Sequence, residues 1–136
     1  MSRAAYRYVT QLHLIPVIAV WDVAEGGCAD NGAPSATTYA TDITQLLGYL
    51  DGLGVTVPYI EAWNEPNASG VSASLAASYW TAANTICQTD GCTAIAGDMV
   101  DSADQGPQWA GSYLDSGGFT MSMGDLFTSA WVGSPP

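Results

Sequence analysis

The side chains of this chain best suited to proton chemistry lie in one short stretch, YIEAWNEPNASG, where Glu61, Trp63, Asn64 and Glu65 follow an apolar run. On an extended strand alternate residues share a side. Glu61, Trp63 and Glu65 are therefore expected on one side, with Ile60 and Ala62 on the other. An indole between two carboxylates is poor core material. A carboxyl group partly desolvated beside such a ring has its neutral form favoured, which suits a general acid near neutral pH. Parallel sheets bind their ligands at the carboxyl ends of their strands, and this stretch reads as such an end.

The elements that would hold it there alternate regularly. LIPVIAV (14–20) is a continuous apolar run, the pattern of a strand buried on both faces. A polar stretch leads to a helix pattern over about 37–53. There Tyr39, Ile43, Leu46, Leu47, Leu50 and Leu53 recur at helical spacing and Gly54 supplies a stop. VTVPYIEAW (55–63) reads as a second strand, and a helix over about 72–87 presents Leu75, Tyr79, Trp80, Ala83 and Ile86. TAIAGDMV (93–100) reads as a third strand. Pro107 suits the first turn of a further helix through Trp109, Tyr113 and Leu114, ending at Gly117 and Gly118. DLFTSAWV (125–132) is a candidate fourth strand, and residues 4–12 a candidate leading helix. Strand starts roughly 30 to 40 residues apart, with helices between, are what right-handed parallel βαβ units require. The expected class is α/β with a parallel sheet, in one domain spanning residues 1–136.

Composition narrows the function. Thirteen acidic residues against two arginines give a formal charge of −11. That balance disfavours nucleic acid and anionic membranes as partners. No apolar run approaches the roughly 18 residues that a membrane span needs. No leader with a cleavage site is visible at the N-terminus. Cys87 and Cys92 enclose the turn-like QTDG, a spacing open to a disulfide and equally to chance. A disulfide would indicate an exported, extracellular protein. Cys28 has no His or Cys at ligand spacing, so no metal site is expected, and no phosphate-binding loop or cofactor motif appears.

The stretch EAWNEPN resembles the acid/base motif of the retaining (β/α)8-barrel glycoside hydrolases, and with Trp before Asn-Glu-Pro-Asn it is most similar to family 39. The resemblance implies a partial barrel holding about strands three to six with their helices. A complete barrel typically takes about 250 residues. It also implies that Glu65 is the acid/base and that Asn64 binds the sugar 2-hydroxyl. Trp63 and Trp21 would be wall residues near the sugar. Asp98 and Asp101, after the third strand, lie at the same rim as candidate contacts to substrate hydroxyls, with loop-capping the favoured reading of both. The substrate would be a glycoside, an oligosaccharide or a polysaccharide, with no cofactor. The competing reading is that the carboxylates and Asn64 cap the following helix and face solvent.

Retaining hydrolysis needs a second carboxylate about 5 Å from the first. In the family it comes from strand seven, beyond the elements read here. Glu25 and Glu61, the other glutamates, do not replace it; Glu61 reads as a structural carboxylate inside the strand. The chain is thus expected to be a portion lacking the nucleophile, or a non-catalytic remnant or carbohydrate-binding module that stacks sugars on Trp21 and Trp63. Asp22 and Asp101 read as loop caps, His13 as a surface residue, and Trp80, Trp109 and the helix tyrosines as core. Asn67-Ala68-Ser69 matches a glycosylation sequon inside the candidate site loop, where occupancy is not expected. Half a barrel leaves two edge strands and the inner side of the sheet open. Self-association, a missing C-terminal half or marginal folding is expected in consequence.

Overall fold

A computed structural model describes residues 7, 11, 12, 15–20, 33–96 and 106–118. In chain order its elements are β1 (Val17–Val20), α1 (Ala36–Gly52), β2 (Tyr59–Ala62), α2 (Ala73–Asp90), β3 (Thr93–Ala96) and α3 (Gly106–Asp115). The candidate fourth strand, most of the candidate leading helix and residues 97–100 of the third run lie outside the described residues.

The helices start and stop where local chemistry directs. Ser35 and Ser72 cap α1 and α2, their hydroxyl oxygens accepting the N–H of Thr38 at 3.1 Å and of Leu75 at 3.2 Å. The N-cap of α2 is thus Ser72, eight residues beyond Asn64. α2 ends at Gly91, whose φ of 78° is the left-handed conformation that glycine adopts without penalty. Its N–H and that of Cys92 both reach the Cys87 carbonyl, and a Cys87–Cys92 disulfide closes over the turn. Of the two readings the sequence left open for this pair, the disulfide is the one found.

The three strands are parallel in the order β1-β2-β3, with Val17 opposite Tyr59 and Tyr59 opposite Thr93. Strands that advance in one direction through right-handed crossovers carry their connecting helices on one side of the sheet. The packing agrees: α1 and α2 lie against each other, and α2 lies on β2 and β3. Ile60, Ala62, Ala94 and Ala96 face these helices and join Ile43, Leu47, Tyr79 and Ala83 in the core. The opposite side carries Val17, Tyr59, Glu61, Thr93 and Ile95, none of them fully buried. This arrangement is mixed α/β with a three-stranded parallel sheet and helices on one of its sides.

Candidate functional site

β2 ends sooner than alternation suggests. Its last residue is Ala62, and Trp63 and Glu65 both take left-handed backbone, φ 74° and 46°. For residues with a Cβ each such position costs roughly 1–2 kcal/mol, so surrounding contacts must hold the turn in place. Beyond it the backbone folds back on itself. The N–H groups of Ala68 and Ser69 both reach the Glu65 carbonyl at 3.0 Å, and the Val71 N–H reaches that of Pro66 at 3.3 Å.

The holding contacts come from α1 and α2. Trp63 stacks on Tyr79 with ring centroids 5.0 Å apart and meets Tyr39 at 5.9 Å, while Tyr39 and Tyr79 approach to 4.3 Å. The Trp63 indole N–H donates to the Ser69 hydroxyl at 2.9 Å, which ties the ring to the far end of its own loop. Tyr79 donates to the Pro34 carbonyl ahead of α1. The Tyr39 hydroxyl donates to the Val20 carbonyl at 2.8 Å and accepts the backbone N–H of Trp63. In a parallel ladder that pairs Val20 with Ala62, the next rung would join this same carbonyl and N–H directly. The phenol therefore sits between the two strand tips and lets them part without leaving a buried polar group unpaired. Burial above all pushes the Tyr39 hydroxyl well above the usual tyrosine range. The Trp63 N–H opposes that shift, while Tyr79 and the Glu61 carboxylate add to it.

The expected site residues separate accordingly. Glu65 is exposed at the C-terminal end of β2, Asn64 beside it is half-buried, and Glu61 is half-buried on the side of the sheet away from the helices. Trp63 departs from expectation. It is 2% exposed and lies in the core, so it neither shares a side with Glu61 nor offers a wall to a sugar. The physical reason is the left-handed step at Trp63, which ends the strand's alternation and turns the indole under the helices. With it goes the Trp63 indole as the flank expected for Glu65, which is exposed. Trp21, Asp98, Asp22, Asp101, His13, Cys28 and Glu25 lie outside the described residues. Asn67 is half-buried and engaged in interactions of its own.

Sequence reasoning assigned Tyr39 and Tyr79 only to the core. Both are core residues, but their hydroxyls also hold the carbonyls of Val20, at the end of β1, and Pro34, ahead of α1. A tyrosine where phenylalanine would fill the same volume is the signal, since a buried phenol demands a partner. Among the described residues no group of three or more His, Cys, Asp or Glu side chains could hold a metal ion. No described helix is long and apolar enough to cross a membrane. Comparisons with protein-family models, with curated proteins and with solved structures gave no match.

Proposed function

We propose that this chain is the acid/base-bearing part of a retaining glycoside hydrolase built on a (β/α) barrel. The observation that carries this reading is Glu65. It is an exposed carboxyl held by strained backbone at the carboxyl end of a parallel strand, within a Trp-Asn-Glu-Pro-Asn sequence. Backbone strain supported by a buried aromatic cluster is more than a surface loop needs, and is the kind of outlier from which a functional role is argued. A sheet that advances in one direction with helices on one side is also the arrangement from which such a barrel is built.

In this reading protonated Glu65 gives its proton to the glycosidic oxygen as the bond to the anomeric carbon breaks. A second carboxylate, carried elsewhere, attacks that carbon to form a glycosyl ester. Water then cleaves the ester while ionised Glu65 takes the water's proton. Asn64 holds the sugar 2-hydroxyl, with Trp21 and Asp98 as further rim contacts, and no cofactor takes part. The substrate is a glycoside, oligosaccharide or polysaccharide. The missing part of the barrel, or a second copy of the chain, covers the side of the sheet that carries Glu61 and Ile95. The disulfide supports an extracellular setting, because such bonds persist in oxidising compartments.

One observation favours a second reading, a remnant or carbohydrate-binding module without turnover. Glu61 and Glu65 are the only glutamates among the described residues, and Glu61 belongs to the strand itself. The test is sugar release from a panel of oligosaccharides with poor leaving groups, by the purified chain and by Glu65→Gln. Release that Glu65→Gln abolishes would support the enzyme reading, with the nucleophile reached through assembly of the chain with a second copy. No release from correctly folded wild-type chain, with sugar binding retained, would replace the enzyme reading with the second one.

A further inference from the structure

A groove of about 630 Å³ runs between the first turns of α2 and the length of α3, lined by Ser72, Ser74, Gln108, Trp109, Ser112 and Ser116. We infer that it is a second saccharide site, which takes a neutral sugar ring and is separate from Glu65. The inference rests on the reading above for its ligand class, and on the groove's own lining for its existence.

The lining carries no charge. It offers hydroxyls, one carboxamide and one indole, and its volume falls in the range of small-ligand sites. Three of the hydroxyls are partly committed: Ser72 accepts the Leu75 N–H, the Ser72 and Ser74 hydroxyls share a hydrogen bond at 3.3 Å, and Ser116 donates to the Ser112 carbonyl at 2.8 Å. The Gln108 amide and the Ser112 hydroxyl make no hydrogen bond among the described residues, and both residues are exposed. Gln108 supplies donors and an acceptor together, and a hydroxyl does the same, which matches the mixed demands of sugar hydroxyls.

Trp109 is fixed in advance. Its ring stacks on Tyr113 with centroids 5.4 Å apart and planes 12° from parallel, and its N–H donates to the Val71 carbonyl at 3.1 Å. With the N–H spent and one face covered, the half-buried ring meets a ligand through its remaining apolar surface. A rigid aromatic surface beside neutral hydrogen-bonding groups fits the apolar face and equatorial hydroxyls of a pyranose. A ligand bearing phosphate is disfavoured by a chain of net charge −11 without lysine. In the chain the groove's first lining residue, Ser72, follows the loop that begins at Trp63.

The test uses the intact chain and follows the Trp109 indole N–H resonance during titration with a neutral monosaccharide, its oligosaccharides and a soluble polysaccharide. A neutral serine-rich peptide serves as the alternative ligand. Ser112→Trp fills the groove from an exposed position that leaves the core alone, and Trp109→Phe keeps a ring while trimming its area. Saturable shifts are expected with the sugars, weakened about tenfold or more by Ser112→Trp, less by Trp109→Phe, and unchanged by Glu65→Gln. Sugar binding that survives Ser112→Trp but is lost in Glu65→Gln would overturn the groove and leave the Glu65 reading standing. Shifts that match the expected pattern while no Glu65-dependent turnover exists would establish the groove without the enzyme. An unmoved indole resonance in the folded chain, or equal response to the peptide, would overturn the saccharide assignment.

Discussion

The two sides of the sheet are built to different standards. Toward the helices Ile60 is 0% exposed and Ala62, Ala94 and Ala96 are buried, and the small side chains let α2 lie close. On the other side Val17 is 50% exposed, while Tyr59, Glu61 and Ile95 are half-buried. One side therefore holds the described elements together, and the other is the more open of the two. Glu65 stands at the boundary, on a turn whose strain is carried by rings on the packed side. The difference teaches that conformation at the rim is set from beneath, by Tyr39, Tyr79 and Trp63.

The largest effect is expected where that support is removed. Trp63→Ala deletes the stacking with Tyr79 and the bond to Ser69, and opens a cavity in the core. A loss of about 3–5 kcal/mol in urea unfolding is expected, in line with large-to-small core substitutions of aromatic residues. A loss below about 1 kcal/mol would mean that Trp63 is not a core residue, and the earlier expectation of a wall residue would return.

Next comes the disulfide, which ties the end of α2 to the start of β3 on the packed side. Loop closure in the unfolded chain, for a loop of only a few residues, gives about 2 kcal/mol. Cys87→Ala with Cys92→Ala should lower unfolding free energy by that amount while leaving far-ultraviolet circular dichroism unchanged, since Gly91 still caps the helix by backbone bonds.

Tyr39→Phe keeps the ring and removes the atom between the strand tips. The Val20 carbonyl and Trp63 N–H then either pair directly or lose their partner, and about 1–2 kcal/mol is expected from the latter. The same phenol makes stability depend on alkali. Its hydroxyl lies above the ordinary value of about 10, chiefly through burial, as does that of Tyr113. Above pH 10 the unfolded chain releases these protons first, so stability is fully present below about pH 10 and falls as pH rises further. Tyr39→Phe should flatten that fall in alkaline unfolding curves. An unchanged slope would place the phenol in water in the native state.

Much of this was legible in the sequence. Periodicity located α1, α2 and α3 within a few residues, since their buried positions recur at helical spacing and Gly54 marks the stop of α1. The parallel order followed from strand spacing. The turn at Trp63 was not legible. Alternation assumes that a strand continues, and nothing local to Trp-Asn-Glu-Pro announces left-handed backbone at two residues with a Cβ. That conformation is imposed by rings 24 residues earlier and 16 later, at Tyr39 and Tyr79. The disulfide was half legible, because spacing permits a bond but only the left-handed cap at Gly91 brings the two Cα atoms to 4.5 Å.

The smallest expected effect is the most informative about the open side. Ile95 lies on β3 opposite Glu61 of β2 and points away from the helices, whereas Ile60 on the packed side is sealed. If nothing further covers that side in the isolated chain, Ile95→Ala removes methyl groups that are already partly in water. The cost should then be under about 1 kcal/mol, against about 2–5 kcal/mol for Ile60→Ala. Comparable losses at the two positions would mean that Ile95 is buried in solution. In that event the cost at Ile95 should shrink on dilution if a second copy of the chain is the cover, because stability borrowed from a partner depends on concentration. A cost independent of concentration would assign the cover to the chain's own remaining residues, and the two sides of the sheet would no longer differ in kind.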